Sequence, residues 1–310
     1  MLNLGLAAIV KDEINDLLEW IAYHRVIGVD HFFIADNDST DGTRELLASL
    51  STAGIVTLID VHTLPGQRPQ LPAYSELLGM ARKNCDVLAF IDADEFLMPT
   101  DDATTIKPLL EKIFSDPHVS ALALNWANFG SAGAVFLEDG LVIDRFVRRA
   151  KLDFKVHHHY KTIVRPERGI DFYNPHHVNL NSGRYVNTLG IDLIPHNQHG
   201  SGLSDIVVWS GARVNHYATK SLEEFLLGKS RRGSASKEGR IKHKRYFMHH
   251  DRNDEECLLA TRFSGSTLEQ INYLSNLIPP DPKVEARVSQ STLSRLLNWR
   301  LNAGEHKSTT

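Results

Sequence analysis

The chain has 310 residues, 42% hydrophobic and 23% charged, with a formal net charge of −4. It is long enough to bury a sizeable core unaided, and its two cysteines, Cys85 and Cys257, exclude a disulfide framework and a four-cysteine zinc site. The near-neutral charge argues against a nucleic-acid binder, and no apolar run approaches the ~20 residues of a membrane span.

Residues 3–10, NLGLAAIV, read as a strand rather than a signal peptide, so a cytoplasmic chain is the expectation. Asp12 can cap a following helix in which Ile14, Leu17, Leu18 and Ile21 recur at helical spacing. Gly28 stands where a helix end favours a left-handed residue. HFFIAD (31–36) is uninterrupted and β-rich, the pattern of a buried parallel strand. STDGT is a turn, RELLASL a short helix and GIVTLIDV a third strand. Helix 73–84, strand DVLAFID (86–92), helix 104–115 and strand VSALALNW (119–126) follow. This alternation predicts an open, mostly parallel α/β sheet.

After Asn125 the alternation stops. Short strand-like pieces (AVFLEDG, KTIVRP, HHVNL) lie among polar, Gly- and His-rich loops, the pattern of an antiparallel extension. Residues 221–230, 254–278 and 283–301 read as helices, and the tail as frayed. The expected organisation is a ligand-binding half at 1–125, a second half of the same domain at 126–235, and a helical extension at 236–310.

Open α/β sheets bind ligands at the carboxyl ends of their strands. Those ends here read Lys11-Asp12-Glu13, Asp36 to Thr43, Asp60 with His62, and Asp92-Ala93-Asp94-Glu95. Crowded carboxylates repel, and a divalent cation would offset that repulsion. For Ser39, Thr40 and Asp41 a purely turn-forming role explains the residues equally well. Asp92 and Asp94 break an apolar strand; if strand geometry persists they share a face, and hard oxygen ligands suit Mg²⁺ or Mn²⁺.

DNDSTDGT resembles the DDGSTDGT stretch of family 2-type glycosyltransferases, and FIDADEF resembles their D-x-D metal site. The longer phrase at 11–43, WANFGSAG (126–133) and NHYATKSLEEF (215–225) resemble a subgroup related to the family 92 glycosyltransferases. The resemblance implies a GT-A fold, a nucleoside-diphosphate-sugar donor, bound Mn²⁺ or Mg²⁺, and transfer to a glycan or lipid-linked hydroxyl with inversion. It also implies roles: Glu13 and Asp36 at the base and ribose, Asp92 at the ribose or a metal-bound water, and Asp94 and His216 as metal ligands. Asn37 replaces the second Asp of the family pattern; an amide both donates and accepts, so the base is left open. No clean acidic motif marks the base; of Glu138, Asp139, Asp153 and His177, Asp153 is favoured.

Eleven of the 16 histidines fall between His157 and His250. His157 and His159 would share a face if the run is a strand, although a packed or solvated strand is the commoner outcome. Residues 220–252 hold ten Lys and Arg against four Asp and Glu. Lys229, Arg231 and Arg232 there could neutralise a diphosphate, or the stretch could meet an anionic membrane as a peripheral contact at its inner face. Trp126, with Phe129 and Gly130, could form a sugar platform or pack the junction of the halves. Two other functions compete: a nucleotidyltransferase that makes a nucleotide sugar, and a non-catalytic nucleotide- or glycan-binding module. The first lacks the Gly-rich loop it needs after strand one, where the chain reads AAIVKDEIND.

Overall fold

The computed structural model describes residues 2–64, 66–196, 200–232 and 242–278; the expected helix at 283–301 and the tail lie outside the described residues. The first half alternates as the sequence predicts: β1 (Leu4–Val10), α1 (Leu17–Val26), β2 (His31–Asp36), α2 (Thr43–Thr52), β3 (Val56–Asp60), α3 (Gln70–Ala81) and β4 (Val87–Phe90). Next come β5 (Glu95–Pro99), α4 (Lys107–Phe114) and β6 (Val119–Asn128). The second half holds α5 (Val142–Arg145), β7 (Arg148–Arg149), a 3₁₀ turn (Lys155–His158), β8 (Tyr160–Val164), β9 (Gly169–Asn174), β10 (His177–Leu180) and β11 (Arg184–Val186). It continues with β12 (Pro195–His196), β13 (Gly200–Ser204), β14 (Ala212–His216), α6 (Leu222–Leu227), α7 (Lys229–Arg232), α8 (Lys244–His250), β15 (Glu255–Glu256) and α9 (Ser264–Ser275). No helix among the described residues is long and apolar enough to cross a membrane.

One sheet runs β3-β2-β1-β4-β8-β6-β14-β5, with β11 added beside β6. The pairs β1–β2, β2–β3, β1–β4 and β6–β14 are parallel. The mostly parallel α/β class is therefore as expected. Its second half enters through β8, antiparallel to both β4 and β6. Smaller antiparallel pairs, β9–β10, β12–β13 and β7–β15, form the extension. The inner strands β1, β4 and β6 are buried along their whole length, as strands covered on both faces must be.

Register sets the functional edge. Val10 pairs with Asp36, and Asp36 with Asp60, so three strands end in line. Across the sheet, β5 starts where β14 ends, and Glu95 pairs with His216. Trp20 fastens this corner from behind: it is fully buried, and its Nε1 donates to the Glu95 carbonyl at 2.7 Å. Trp20→Ala should cost about 3–5 kcal/mol, read from urea denaturation. A loss under about 1 kcal/mol would mean that the corner repacks without the ring.

Several local expectations need correction: AVFLEDG (134–140) forms no strand, and the stretch expected as a helix at 254–278 is β15, a 3₁₀ turn (Leu259–Phe263) and α9. Asp12 does not cap α1, whose N-cap is Asp16; Asp12 adopts φ 52° and accepts from Thr40 N at 2.7 Å. The helix expected at 221–230 is broken at Gly228 into α6 and α7. The His157–His159 run is mostly a 3₁₀ turn, so the expected shared strand face does not form. The strand expected to end at Trp126 runs on to Asn128, so Trp126 lies inside β6. Gly28 is as expected, with φ 103° just past α1; a Cβ there would meet Thr105 and Lys107 at 3.3 Å.

Candidate functional site

The turn after β2 latches the turn after β1. Ser39 Oγ accepts from Asp12 N at 2.9 Å, Thr43 Oγ1 from Glu13 N at 2.8 Å, and Asp41 Oδ2 from Ile14 N at 3.1 Å. The turn-forming role of Ser39, Thr40 and Asp41 is thus realised. The latch holds Lys11, Asp12 and Glu13 in the wall of a cleft of about 660 Å³. The other walls include Asp94, Tyr217 to Lys220, and Glu224 to Arg231 without Leu226 and Ser230.

Asp92 and Asp94 do not share a strand face. Glu95 N donates to the Asp92 carbonyl at 3.0 Å, so the chain turns between β4 and β5. Asp92 accepts from Tyr74 OH at 3.0 Å, Gln70 Nε2 at 3.1 Å and Lys161 Nζ at 3.0 Å. Lys161 lies within β8, buried, and also faces Glu95 at 3.3 Å. Burial pushes the Glu95 carboxyl up to about 8 against the pull of Lys161. Burial likewise disfavours the Lys161 ammonium, but Asp92 and Glu95 outweigh it and hold its pKa above the usual lysine value.

Asp94 faces another way. Its Oδ2 lies 3.3 Å from His216 Nε2 and takes an ion pair from Lys229 Nζ. The Asp94 side chain is 13% exposed and that of His216 6%. Burial would raise the Asp94 carboxyl, but Lys229 and His216 overcome it and hold it well below the usual range. The fold sets this meeting of the two side chains: His216 ends β14 against β5, and Tyr217 N donates to the Asp94 carbonyl at 2.9 Å.

A divalent cation can be tested against these atoms. Neighbouring ligands with bonds of about 2.1 Å sit roughly 3 Å apart on one ion, so Asp94 Oδ2 and His216 Nε2 fit as a pair. Among the described residues no group of three or more His, Cys, Asp or Glu could hold a metal. Mg²⁺-type sites with one or two protein ligands complete their shell with water and substrate phosphates.

The other sequence-predicted residues scatter. Asp36 is buried; its Oδ2 accepts from Ser39 N at 3.2 Å, and burial raises its pKa. Asn37 is also buried, its Nδ2 donating to Thr63 Oγ1 at 2.6 Å and the Val61 carbonyl at 3.1 Å. Asp153 is exposed in the turn before the 3₁₀ segment and does not line the cleft, so the geometry gives no support to it as the base. Trp126 is 8% exposed, stacked on His159 at 4.8 Å with His216 at 4.2 Å, and so offers no open sugar platform. Gly130 packs beneath Arg252 and Asn253. Arg232 ends α7, and its side chain lies outside the described residues.

Four other histidines, His157, His158, His176 and His177, have packing roles. His157 Nε2 accepts from Asn128 N at 3.0 Å, while the Nδ1 atoms of His158 and His176 meet the carbonyls of Ser204 at 2.7 Å and Tyr160 at 3.0 Å. His177 Nδ1 meets Tyr160 OH at 2.8 Å. Sequence reasoning missed Lys161, whose KTIVRP context reads as an ordinary strand. It also missed Lys220, ion-paired with Asp16 at a backbone φ of 53°. A local sequence signal for that corner is the capping box of Ser221 and Glu224, which fixes the start of α6.

A carboxylate, an imidazole and an ammonium thus gather at one edge of an open α/β sheet, the kind of edge that binds ligands in this class. The chain belongs to glycosyltransferase family 92, whose sequence model matches residues 8–257. A family 92 protein of Oryza sativa subsp. japonica is 29% identical over 203 residues, spanning 63% of this chain and 33% of that protein. One of Ricinus communis is 29% identical over 195 residues, spanning 62% of this chain and 34% of its own length. The matched stretch is about a third of these plant relatives. Among solved structures, Staphylococcus aureus TarS 1–349 in complex with UDP aligns at a TM-score of 0.35 and 11% identity, over 53% of this chain and 47% of that one. Mycobacterium tuberculosis glucosyl-3-phosphoglycerate synthase aligns at 0.29 and 16%, over 40% and 44%. These structural likenesses are too slight to carry an argument.

Proposed function

We propose that this chain is a metal-dependent glycosyltransferase that moves a sugar from a nucleoside-diphosphate sugar to a hydroxyl of a glycan or lipid-linked acceptor, with inversion. One observation carries the reading: His216 Nε2 and Lys229 Nζ converge on Asp94 Oδ2 in a cleft whose walls also bear Lys11, Lys220 and Arg231. Transfer forms a bond from the acceptor oxygen to the anomeric carbon and breaks the bond to the diphosphate. The acceptor gives its proton to a base, and the diphosphate leaves with the electron pair. Asp94 and His216 would hold a divalent cation, which when bound supplies countercharge to the departing diphosphate. Lys229 and Arg231 add fixed positive charge along the same wall, where the transition state needs it.

The nucleobase would meet Asn37. Its Nδ2 is spent on Thr63 and Val61, leaving Oδ1 to accept from a ligand. Every common base edge presents an N–H (uracil N3, guanine N1, cytosine N4, adenine N6), so this acceptor leaves the base open. The nucleotidyltransferase alternative gains nothing, because the loop it would make glycine-rich is the latched Lys11–Asp16 segment. A thermal-shift panel of UDP, GDP, CDP and ADP with and without Mn²⁺ tests the reading. The nucleoside diphosphate that fits, at 100 times its Kd, should add about 2.7 kcal/mol. A panel in which no nucleoside diphosphate moves the melt would sink the donor site.

A further inference from the structure

Lys229 opens α7 directly after Gly228, at the break between two short helices. Its ammonium meets Asp94 Oδ2, the Ala218 carbonyl at 2.9 Å, and the face of Tyr246 at 5.9 Å. Of these three only Asp94 carries a formal charge. The oxygen that Lys229 takes is the same one that lies 3.3 Å from His216 Nε2. An ammonium and a divalent cation therefore compete for a single oxygen in a largely buried corner, where two positive charges in contact repel strongly.

Resting on the donor-site reading above, we propose that Lys229 is a placeholder for the cation and couples its binding to that of the diphosphate. A cation arriving alone must expel the ammonium from contact with Asp94, leaving it only the weaker pull of Glu13 across the same cleft. A diphosphate arriving alone must draw Lys229 away and leave Asp94 with His216 and the charge of Lys242. Arriving together, the cation takes Asp94 while the diphosphate takes Lys229, and each relieves the cost of the other. Such coupling is reciprocal: the factor by which the nucleotide tightens the metal is the factor by which the metal tightens the nucleotide. Lys229 is thus a positioning residue for the cation as well as a diphosphate contact.

The test is a Mn²⁺ titration followed by the electron paramagnetic resonance of the free ion, with and without UDP, on folded protein checked by melting. In the native chain Mn²⁺ alone should bind weakly, and UDP should tighten it at least 100-fold. Lys229→Met should bind Mn²⁺ alone at least tenfold more tightly than the native chain, and its UDP effect should shrink by a similar factor. Arg231→Met removes a second cation of the same cleft wall and should change the affinity for Mn²⁺ alone less than threefold. An unchanged affinity in Lys229→Met overturns the proposal, as does an equal gain in Arg231→Met, which would reduce the effect to general charge. Failure of every form to bind either ligand removes the donor site itself, and this inference with it.

Discussion

Asp94→Asn should lower sugar transfer at least 100-fold, about 3 kcal/mol of lost transition-state stabilisation. The same change should also destabilise the fold. Asp94 is the anionic partner of the largely buried Lys229 and His216, and removing one partner of a buried pair costs about 3–5 kcal/mol because the other charge stays uncompensated. The two losses have different origins and can be separated. Adding Lys229→Met to Asp94→Asn removes the stranded ammonium, so most of the stability should return while transfer stays lost. Denaturant midpoints and a transfer assay on both variants read the two quantities independently. A single variant that keeps transfer rejects Asp94 as the centre of the site. A double variant no more stable than the single one rejects the buried pair.

The parts of this site that could be read from the sequence are those written locally. An apolar strand that ends in carboxylates announces itself within ten residues, and β1, β2 and β4 all do so. What brings the site together is not local. His216 reaches Asp94 because β14 pairs antiparallel with β5, although the two segments lie far apart in sequence and neither has a strong period. Lys161 was invisible for the opposite reason. In KTIVRP the alternation leaves it on either face, and only the insertion of β8 between β4 and β6 buries it against Asp92 and Glu95. Asp12 misled because a carboxylate before an apolar helical pattern is usually a cap. Here the helix starts later, and the carboxylate crosses to the neighbouring turn instead.

Below about pH 6.5 the fold should become sharply less stable, because it buries imidazoles in neutral form. Burial pushes His24 down to about 3, His157, His159 and His177 to about 4, and His250 to about 2; it also lowers His176 well below its usual value. His24 shows the cause: Nδ1 meets the Trp20 carbonyl at 2.7 Å while Nε2 accepts from Leu97 N at 3.1 Å, an arrangement that needs one unprotonated nitrogen. These folded-state values lie below the unfolded value, so their stability is complete above pH 6.5 and drains away as pH falls toward 4. Two glutamates act in the opposite sense. Burial raises Glu19 and Glu95 to about 8, so between pH 8 and 4.5 the folded chain takes up their protons first and gains stability on acidification. Among these eight groups alone, six imidazoles against two carboxyls leave the unfolded chain binding up to four more protons, about 5 kcal/mol per pH unit. Domain stabilities of 5–15 kcal/mol cannot withstand that for more than about two units. Urea midpoints should therefore collapse between pH 7 and 5. Glu19→Gln, which abolishes one compensating proton, should steepen the fall by about 1.4 kcal/mol per unit. A midpoint that holds steady to pH 5 would show that these rings accept protons inside the fold, and that the packed histidines around Trp126 are far wetter than their contacts imply.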